Sequence, residues 1–252
     1  MALHLPENWQ VKYDSSHDAY LILDNNAAFT LAANYFSADF WRANESVINI
    51  AHGRGITYFV QLKDDIWVLR EYLRGGLIAK LIKQHFFFTS LSATRAFQEI
   101  ALLLKLRQDG VNVPKPIGGY IQKQSLWYTN KILLSAIQGA QEIHVLCRTG
   151  QLTKTICQDM GKEIAKMHNA GVYHHDLNIQ NILKDEQDQI WLIDFDKCFS
   201  TKQLTQAQCQ MNIARLHRSI EKKRKLHTDY VFTDKHWQAL LDTYEDTLLI
   251  AS

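Results

Sequence analysis

The sequence lacks the features of membrane-spanning and nucleic-acid-binding proteins. In 252 residues, no apolar run approaches the roughly 20 residues that cross a bilayer, so we expect any membrane contact to be peripheral. Lysine and arginine number 28 against 26 aspartate and glutamate. The resulting net charge of +2 gives no whole-molecule reason to bind nucleic acid or an anionic membrane. A charged binding surface would therefore have to be local.

Cysteine is also scarce. The four cysteines, Cys147, Cys157, Cys198 and Cys209, form no CxxC pair, and no N-terminal signal peptide precedes Pro6. We therefore expect a reduced cytoplasmic setting, in which the thiols are buried small hydrophobic groups rather than zinc ligands or disulfides. Apolar residues make up 46% of the chain. That content predicts a globular protein of one large or two small domains.

The first half of the chain is rich in strand patterns. Residues 56–72 contain two β-rich runs joined by the polar residues 63–65, which predicts a hairpin. The later segment "TRAFQEIALLLKLRQDG" has apolar residues at helical spacing, and Gly110 stands beyond its end. This segment is therefore predicted to be an amphipathic helix with its stop signal.

The second half is dominated by helical patterns. The helical period runs from Leu152 to Asn169, with Gly171 as the expected C-terminal cap, and the chain after Lys197 is also helical in pattern. The sequence thus predicts an α+β protein with two lobes. Residues 1–135 would form a strand-rich N-terminal lobe, and residues 136–252 a helical C-terminal lobe.

Three polar side chains, Asp176, Asn181 and Asp194, flank two short apolar runs in the stretch "GVYHHDLNIQNILKDEQDQIWLIDFDK". The charged loop 184–189 between the runs predicts a hairpin. Reflection of the chain about this loop places Asn181 near Leu192, so Asn181 and Asp194 would meet at one end of the hairpin. Asp176 would lie on the loop that leads into it. Oxygen donors grouped in this way suit Mg²⁺, which takes one or two protein ligands together with phosphate oxygens and water.

The same stretch resembles two motifs of the protein-kinase-like fold. The sequence HHDLNIQN, which ends at Asn181, is similar to the catalytic loop H-R-D-L-x-x-x-N, and Asp194-Phe195-Asp196 stands where the fold has D-F-G. The resemblance implies that Asp176 orients the acceptor hydroxyl and takes its proton. It also implies that Asn181 and Asp194 hold Mg²⁺ that bridges the phosphates of ATP. The chain would then be a phosphotransferase with an alcohol group as acceptor.

On this resemblance the N-terminal lobe binds the nucleotide. Gly53 and Gly55 resemble the start of the glycine-rich phosphate loop, although the third glycine of G-x-G-x-x-G is missing. Arg70 stands at the position of the lysine in V-A-I-K, and Glu99 in the following helix would be its ion-pair partner. Ala136 lies where the hinge of the fold places its backbone against adenine.

Several longer strings point to one branch of the fold. They extend over roughly two thirds of the chain and read "VLREYLRGGL", "TRAFQEIALL", "VPKPIGG", "IQGAQ" and "HHDLNIQNIL…IDFDK". In these strings the chain resembles the Kdo kinases of Gram-negative bacteria, a branch of the lipopolysaccharide kinases. The resemblance implies transfer of the γ-phosphate of ATP to the 4-hydroxyl of the single 3-deoxy-D-manno-octulosonic acid (Kdo) on a lipid A precursor. This step of lipopolysaccharide core biosynthesis would take place at the cytoplasmic face of the inner membrane, with peripheral membrane contact.

Cationic side chains would bind such an acceptor, because it carries a carboxylate and phosphates. The candidates are Arg74 in "YLRGG" and the basic run 215–225, in which Arg215 and Arg218 come first. Arginine can bind phosphate and carboxylate through charge-assisted hydrogen bonds, and the run could also lie on anionic lipid headgroups.

Other functions are compatible with the same motifs. Only 58 residues follow Asp194 and none of them forms A-P-E, so we expect a small-molecule, sugar or lipid acceptor rather than a protein. A heptose kinase of the lipopolysaccharide core, or an antibiotic phosphotransferase, would share the residues of the chemistry and differ in the acceptor pocket. A nucleotide-binding pseudokinase that acts as a scaffold is the alternative from another class, favoured by Arg70 and the incomplete glycine loop.

Overall fold

A computed structural model of the protein describes residues 3–27, 29–52, 56–72 and 85–249. The chain divides into two compact units. The N-terminal unit comprises residues 2–104 and 115–136, and the C-terminal unit comprises residues 105–114 and 137–252. Residues 105–114 thus group with the second unit, although the sequence places them in the first lobe. The division of function between residues 1–135 and 136–252 stays a prediction.

The N-terminal unit is built on an antiparallel sheet. Its strands are β1 (Trp9–Asp14), β2 (Ala19–Asp24), β3 (Val47–His52), β4 (Ile56–Leu62), β5 (Asp65–Glu71), β6 (Phe86–Phe87), β7 (Pro116–Gln124) and β8 (Trp127–Ser135). They are arranged in the order β1-β2-β7-β8-β5-β4-β3, with β6 paired to β8. The predicted hairpin at residues 56–72 is confirmed as β4 and β5, with Phe59 opposite Val68. Lys63 in its turn adopts a φ of 56°.

Among the described residues, two α-helices accompany this sheet, α1 (Ala38–Ala43) and α2 (Arg95–Gln108). The predicted amphipathic helix is confirmed as α2, whose apolar face, including Ile100 and Leu103, is buried. Gly119 of β7 lies so close to α2 that a Cβ at this position would be 2.7 Å from the Cδ1 atom of Ile100. A glycine therefore lets the helix pack directly on the strand.

The C-terminal unit is mainly helical. Its elements are β9 (Gln141–Glu142), α3 (Ile143–Arg148), α4 (Lys154–Asn169), β10 (Val172–Tyr173), β11 (Ile182–Lys184), β12 (Ile190–Leu192), β13 (Phe199–Ser200), α5 (Gln206–Leu226) and α6 (Asp234–Thr247). The predicted helix at residues 152–169 is confirmed as α4. Gly171 follows its end with a φ of 73°, and its N–H bonds the carbonyl of His168, so the predicted cap is also confirmed. The α+β character expected from the sequence is confirmed.

Helices α4 and α6 pack at backbone distance. Gly161 of α4 is buried, and a Cβ there would lie 2.1 Å from the carbonyl oxygen of Leu240 and 3.0 Å from the backbone nitrogen of Tyr244. Only glycine allows this approach without displacement of the α6 backbone.

Two other expectations concern the thiols and the membrane. All four cysteines are buried and unbridged, as predicted, and burial raises the pKa of Cys157 to about 12. In the part of the chain that the structure describes, no helix combines the length and apolar character needed to cross a membrane.

Candidate active site

The hairpin of β11 and β12 brings two predicted metal ligands to one end. Ile182 is opposite Leu192, and the N–H of Ile193 donates to the carbonyl of Asn181 over 3.0 Å. Asn181 therefore precedes the first strand at the same end at which Asp194 follows the second. The prediction that the two residues meet at one end of the hairpin is confirmed, although Asn181 pairs with Ile193 and not with Leu192.

The turn at the other end of this hairpin is organised by Asp185, which is buried. Its Oδ1 accepts hydrogen bonds from the N–H groups of Gln187 (3.0 Å) and Gln189 (2.8 Å), and its Oδ2 accepts from the indole N–H of Trp191 (2.7 Å). Because a carboxylate can accept several bonds at once, one side chain fixes both the turn and the strand that follows it.

The loop that carries Asp176 is held by side-chain amides. Asn178 and Asn181 both donate through Nδ2 to the carbonyl of Asp176, over 3.0 and 2.9 Å, and the Oδ1 of Asn178 accepts from the N–H of Gln180. Because the Nδ2 of Asn181 is engaged in this way, Oδ1 is the Asn181 atom available to a cation. The spacing D-x-x-x-x-N thus orients the aspartate backbone as well as the asparagine oxygen.

His174 connects this loop to the strand before Asp194. The ring is fully buried, its Nε2–H donates to the carbonyl of Ile193 (3.0 Å), and its Nδ1 accepts from the N–H of Asp176 (3.2 Å). A carbonyl can only accept, so these partners fix the neutral Nε2–H tautomer. Burial lowers the pKa of His174, which agrees with a neutral ring.

Asn212 of α5 forms hydrogen bonds with the backbone of the same loop. It is fully buried, its Oδ1 accepts from the backbone N–H of His174 (3.0 Å), and its Nδ2 donates to the carbonyl of His174 (2.9 Å). The Oδ1 also accepts from the Nε2–H of His168 (3.1 Å), whose Nδ1 in turn accepts from the hydroxyl of Tyr244 (2.7 Å). Burial lowers the pKa of His168 to about 4, so this ring is neutral as well.

Two further residues of α5 contact the loop. Arg215 donates from Nη2 to the Oδ1 of Asp176 over 2.9 Å, and Ser219 accepts from the N–H of Ile179 over 3.0 Å. Asn212, Arg215 and Ser219 are spaced by three and four residues, so they lie on one side of the helix. This side of α5 therefore supports the loop at three points.

Asp194 has an unusual backbone. Its φ is 65°, in the left-handed region that residues other than glycine rarely adopt, although aspartate adopts it more readily than most. Such conformations cost of order 1–3 kcal/mol and concentrate at functional sites. The following residue, Phe195, is buried with its ring centroid 4.8 Å from that of His174.

Within the N-terminal unit, Arg70 of β5 and Glu99 of α2 form the predicted ion pair, through Nη2 and Oε1. Glu99 is buried, and its Oε2 accepts from the hydroxyl of Tyr72 over 2.6 Å, while the Arg70 guanidinium lies 5.3 Å from the Tyr72 ring centroid. Ala136 follows β8, and its N–H donates to the carbonyl of Ile66 over 2.9 Å. The ion pair is confirmed, and the part of these residues in nucleotide binding stays a prediction.

The comparison with known proteins decides the family. The model of the lipopolysaccharide kinase (Kdo/WaaP) family matches residues 38–244. The chain belongs to this family. It is 46% identical over 213 residues to a 3-deoxy-D-manno-octulosonic acid kinase of Vibrio vulnificus (strain YJ016), a match that covers 83% of this chain and 88% of the relative. It is 40% identical over 233 residues to the protein of the same name from Haemophilus influenzae (strain ATCC 51907 / DSM 11121 / KW20 / Rd), covering 89% and 95% of the two chains.

The fold of this lipopolysaccharide kinase is shared with a solved structure. The structure described as WaaP in complex with acyl carrier protein superposes with a TM-score of 0.58 at 14% identity, covering 90% of this chain and 88% of that chain. The predicted protein-kinase-like fold is confirmed.

The predicted metal ligands of the kinase are oxygen donors, which suit Mg²⁺. Among the described residues, no group of three or more histidine, cysteine, aspartate or glutamate side chains is placed to hold a metal ion. The carboxylate of Asp194 and the Oδ1 of Asn181 are hard oxygen donors, and Mg²⁺ is commonly held by one or two such groups together with phosphate oxygens. The residues present therefore fit the predicted ion.

The remaining predicted site residues are divided. Gly53, Gly55 and Arg74 lie outside the described residues. Arg215 contacts Asp176, and Arg218 is exposed on α5. The supporting residues Asn212 and Ser219 were not predicted, and the signal that could have found them is their helical spacing from Arg215.

Proposed function

We propose that this chain transfers the γ-phosphoryl group of ATP to the 4-hydroxyl of Kdo on a lipid A precursor, in lipopolysaccharide core biosynthesis. The observation that carries the proposal is the placement of Asp176, whose carbonyl is held by two asparagine amides and whose Oδ1 accepts from Arg215. Relatives named 3-deoxy-D-manno-octulosonic acid kinase at 40–46% identity support Kdo as the acceptor sugar.

Asp176 is the proposed proton acceptor. Its carboxylate orients the Kdo hydroxyl, the hydroxyl oxygen bonds to the γ-phosphorus as the bond from that phosphorus to the ADP oxygen breaks, and the hydroxyl proton passes to Asp176. Asp194 and the Oδ1 of Asn181 would hold Mg²⁺, which supplies charge neutralisation on the nucleotide phosphates when bound. His174 fixes the position of the Asp176 loop relative to the segment before Asp194, because its ring accepts from the N–H of Asp176 and donates to the carbonyl of Ile193.

The N-terminal unit is proposed to bind the nucleotide. The guanidinium of Arg70, positioned by Glu99, can meet phosphate oxygens in a bidentate manner, and Gly53 and Gly55 would allow the backbone to approach the phosphates. Ala136 would contact adenine through its carbonyl, because its N–H is already bonded within the unit.

The acceptor is proposed to be held by arginines. Arg74, Arg215 and Arg218 would bind its carboxylate and phosphates through charge-assisted hydrogen bonds. Because this acceptor is a lipid, the enzyme would act as a peripheral protein at the cytoplasmic face of the inner membrane.

The test is transfer of labelled γ-phosphate from ATP, with Mg²⁺, to three acceptors: a lipid A precursor that bears one Kdo, the same precursor without Kdo, and a heptose-containing core. We expect label on the Kdo-bearing lipid alone. Asp176→Ala should abolish transfer and leave nucleotide affinity nearly intact, because the carboxylate acts on the acceptor. Asp194→Ala should weaken both, and Asp246→Ala, which removes an exposed carboxylate from α6, serves as the control.

Three results would contradict the proposal. Label on heptose would assign the chain to a neighbouring branch of the family. Nucleotide binding without label on any acceptor would favour a pseudokinase scaffold. Unchanged transfer in Asp176→Ala would remove the assigned proton acceptor.

A further inference from the structure

Helix α5 carries a row of basic residues that extends beyond its contacts with the catalytic loop. Arg215, Arg218, Lys222 and Lys225, which we call the α5 stripe, are spaced by three, four and three residues. At 3.6 residues per turn these positions lie within about 80° of one another and extend over about 15 Å. The stripe carries four positive charges on a chain whose net charge is only +2, so it is a local concentration of charge.

Arg215 is paired with Asp176, but the other three charges of the stripe are not neutralised by neighbours among the described residues. Arg218, Lys222 and Lys225 are exposed, and no carboxylate among the described residues forms an ion pair with any of them. Arg224, which lies off the stripe, does have acidic partners: it contacts Glu221 at 2.8 Å and Asp234 at 3.4 Å. Arg224 is thus paired, whereas the outer members of the stripe are open to an external anion.

Exposed apolar side chains stand at both ends of the stripe. Met211 is 53% exposed and Leu226 is 62% exposed. Helical geometry places both within about 60° of the centre of the stripe. Basic residues flanked by exposed apolar ones are typical of helices that lie at the surface of an anionic bilayer.

The stripe begins at the candidate active site. Arg215 is its first member, and it donates to the Oδ1 of Asp176 over 2.9 Å. A surface that docks along the stripe is therefore brought close to the middle of α5, where the proposed acceptor hydroxyl would meet Asp176.

We infer that the α5 stripe docks this kinase on the phosphate headgroups of an anionic lipid bilayer. The inference rests on the proposed function in one respect, namely that the acceptor is a lipid embedded in that surface. The three exposed cations Arg218, Lys222 and Lys225 match the negative potential of such a bilayer. Met211 and Leu226 reach the headgroup boundary. The docked helix presents Asp176 to sugars that project from the membrane.

The experiment measures vesicle binding by flotation, without nucleotide or Kdo-bearing lipid, so its result does not depend on whether the chain phosphorylates Kdo. Vesicles of phosphatidylcholine containing phosphatidylglycerol are compared with vesicles of phosphatidylcholine alone. The stripe variant is Arg218→Gln/Lys222→Gln/Lys225→Gln. The control variant Lys154→Gln/Lys162→Gln/Lys235→Gln removes the same charge from exposed positions on α4 and α6 that have no ion-pair partner among the described residues.

We expect the full chain to float with the anionic vesicles and not with the neutral ones. Each basic residue near an anionic surface contributes roughly fivefold in partition coefficient, so the stripe variant should lose roughly 100-fold and the control variant much less. Equal losses in the two variants would overturn the inference, because they would show an effect of net charge alone. Failure of the full chain to bind anionic vesicles, or equal binding to neutral vesicles, would overturn it as well. Unchanged vesicle binding by the stripe variant would also overturn it. If the same variant no longer binds a soluble acidic protein, the stripe is a protein-binding surface and not a lipid-binding one.

Discussion

Removal of the Asn212 side chain tests whether α5 positions the catalytic loop. Asn212→Ala leaves three buried groups without their partner: the N–H and the carbonyl of His174, and the Nε2–H of His168. A buried polar group that loses its partner costs about 1–3 kcal/mol. Taking the lower end for each of the three groups, we expect the free energy of unfolding to fall by about 3 kcal/mol and the Tm by roughly 10 °C.

The loop displacement should also be visible in catalysis. The backbone of His174 stands two residues before Asp176, and misplacement of a reacting group by about 1 Å can cost on the order of 100-fold in rate. We therefore expect kcat, measured well below the Tm, to fall by roughly 10- to 100-fold while the KM for ATP stays within about twofold. Purely structural damage would not separate the two constants in this way.

The control is Gln210→Ala, which truncates an exposed amide two residues earlier on α5 and should change stability by less than about 0.5 kcal/mol. Thermal unfolding and steady-state kinetics are measured on both variants. A kcat for Asn212→Ala equal to that of Gln210→Ala would refute the positioning role. An unchanged Tm would refute the free energy that we assign to the three lost hydrogen bonds.

Two predictions concern stability. Because burial lowers the pKa of His168 to about 4 from an unfolded value near 6.5, the unfolded state binds a proton that the folded state does not, so stability falls as the pH drops from about 6.5 to about 4. We expect this one residue to account for a loss of about 3 kcal/mol in the free energy of unfolding, measured by urea unfolding at several pH values. The free energy of unfolding should change less steeply with pH in His168→Gln than in the unsubstituted protein, and equal slopes would contradict the prediction. Gly161→Ala should destabilise the protein by about 2–4 kcal/mol in the same assay, since its methyl group would meet the backbone at Leu240, whereas Lys162→Ala on the exposed side of α4 should be nearly neutral. An equal effect of the two α4 substitutions would show that the helices can separate without cost.

The parts of the fold that could be predicted are those specified by neighbours in sequence. The hairpin of β4 and β5 follows from two alternating runs around a polar turn, and α4 from its apolar period and the glycine after it. The approach of Asn181 to Asp194 was also predictable, because a hairpin of known turn has one register. In each case the evidence lies within about 20 residues, where periodicity and turn chemistry decide the structure.

The supports of the site could not be predicted in the same way. Asn212 and Ser219 contact residues that precede them by 38 and 40 positions, and only tertiary packing brings them together. The basic run 215–225 indicates a role of charge, but the side of α5 that faces the loop carries an amide and a hydroxyl as well as Arg215. The strands β1 and β2 were also missed, since their short alternating patterns lack a turn signal as clear as that of residues 63–65.

The hydrogen bonds of Asp185 fix the length of a surface turn on which the position of Asp194 depends. Surface loops usually tolerate insertion and deletion, yet this turn sets which residue of β12 lies opposite Ile182. A change of one residue in a hairpin exchanges the two faces of its strand. Loss of a single residue between Asp185 and Gln189, at the other end of the hairpin, would therefore separate Asn181 from Asp194. Length variation at this turn should consequently be as rare among active kinases of this family as variation at Asn181 and Asp194.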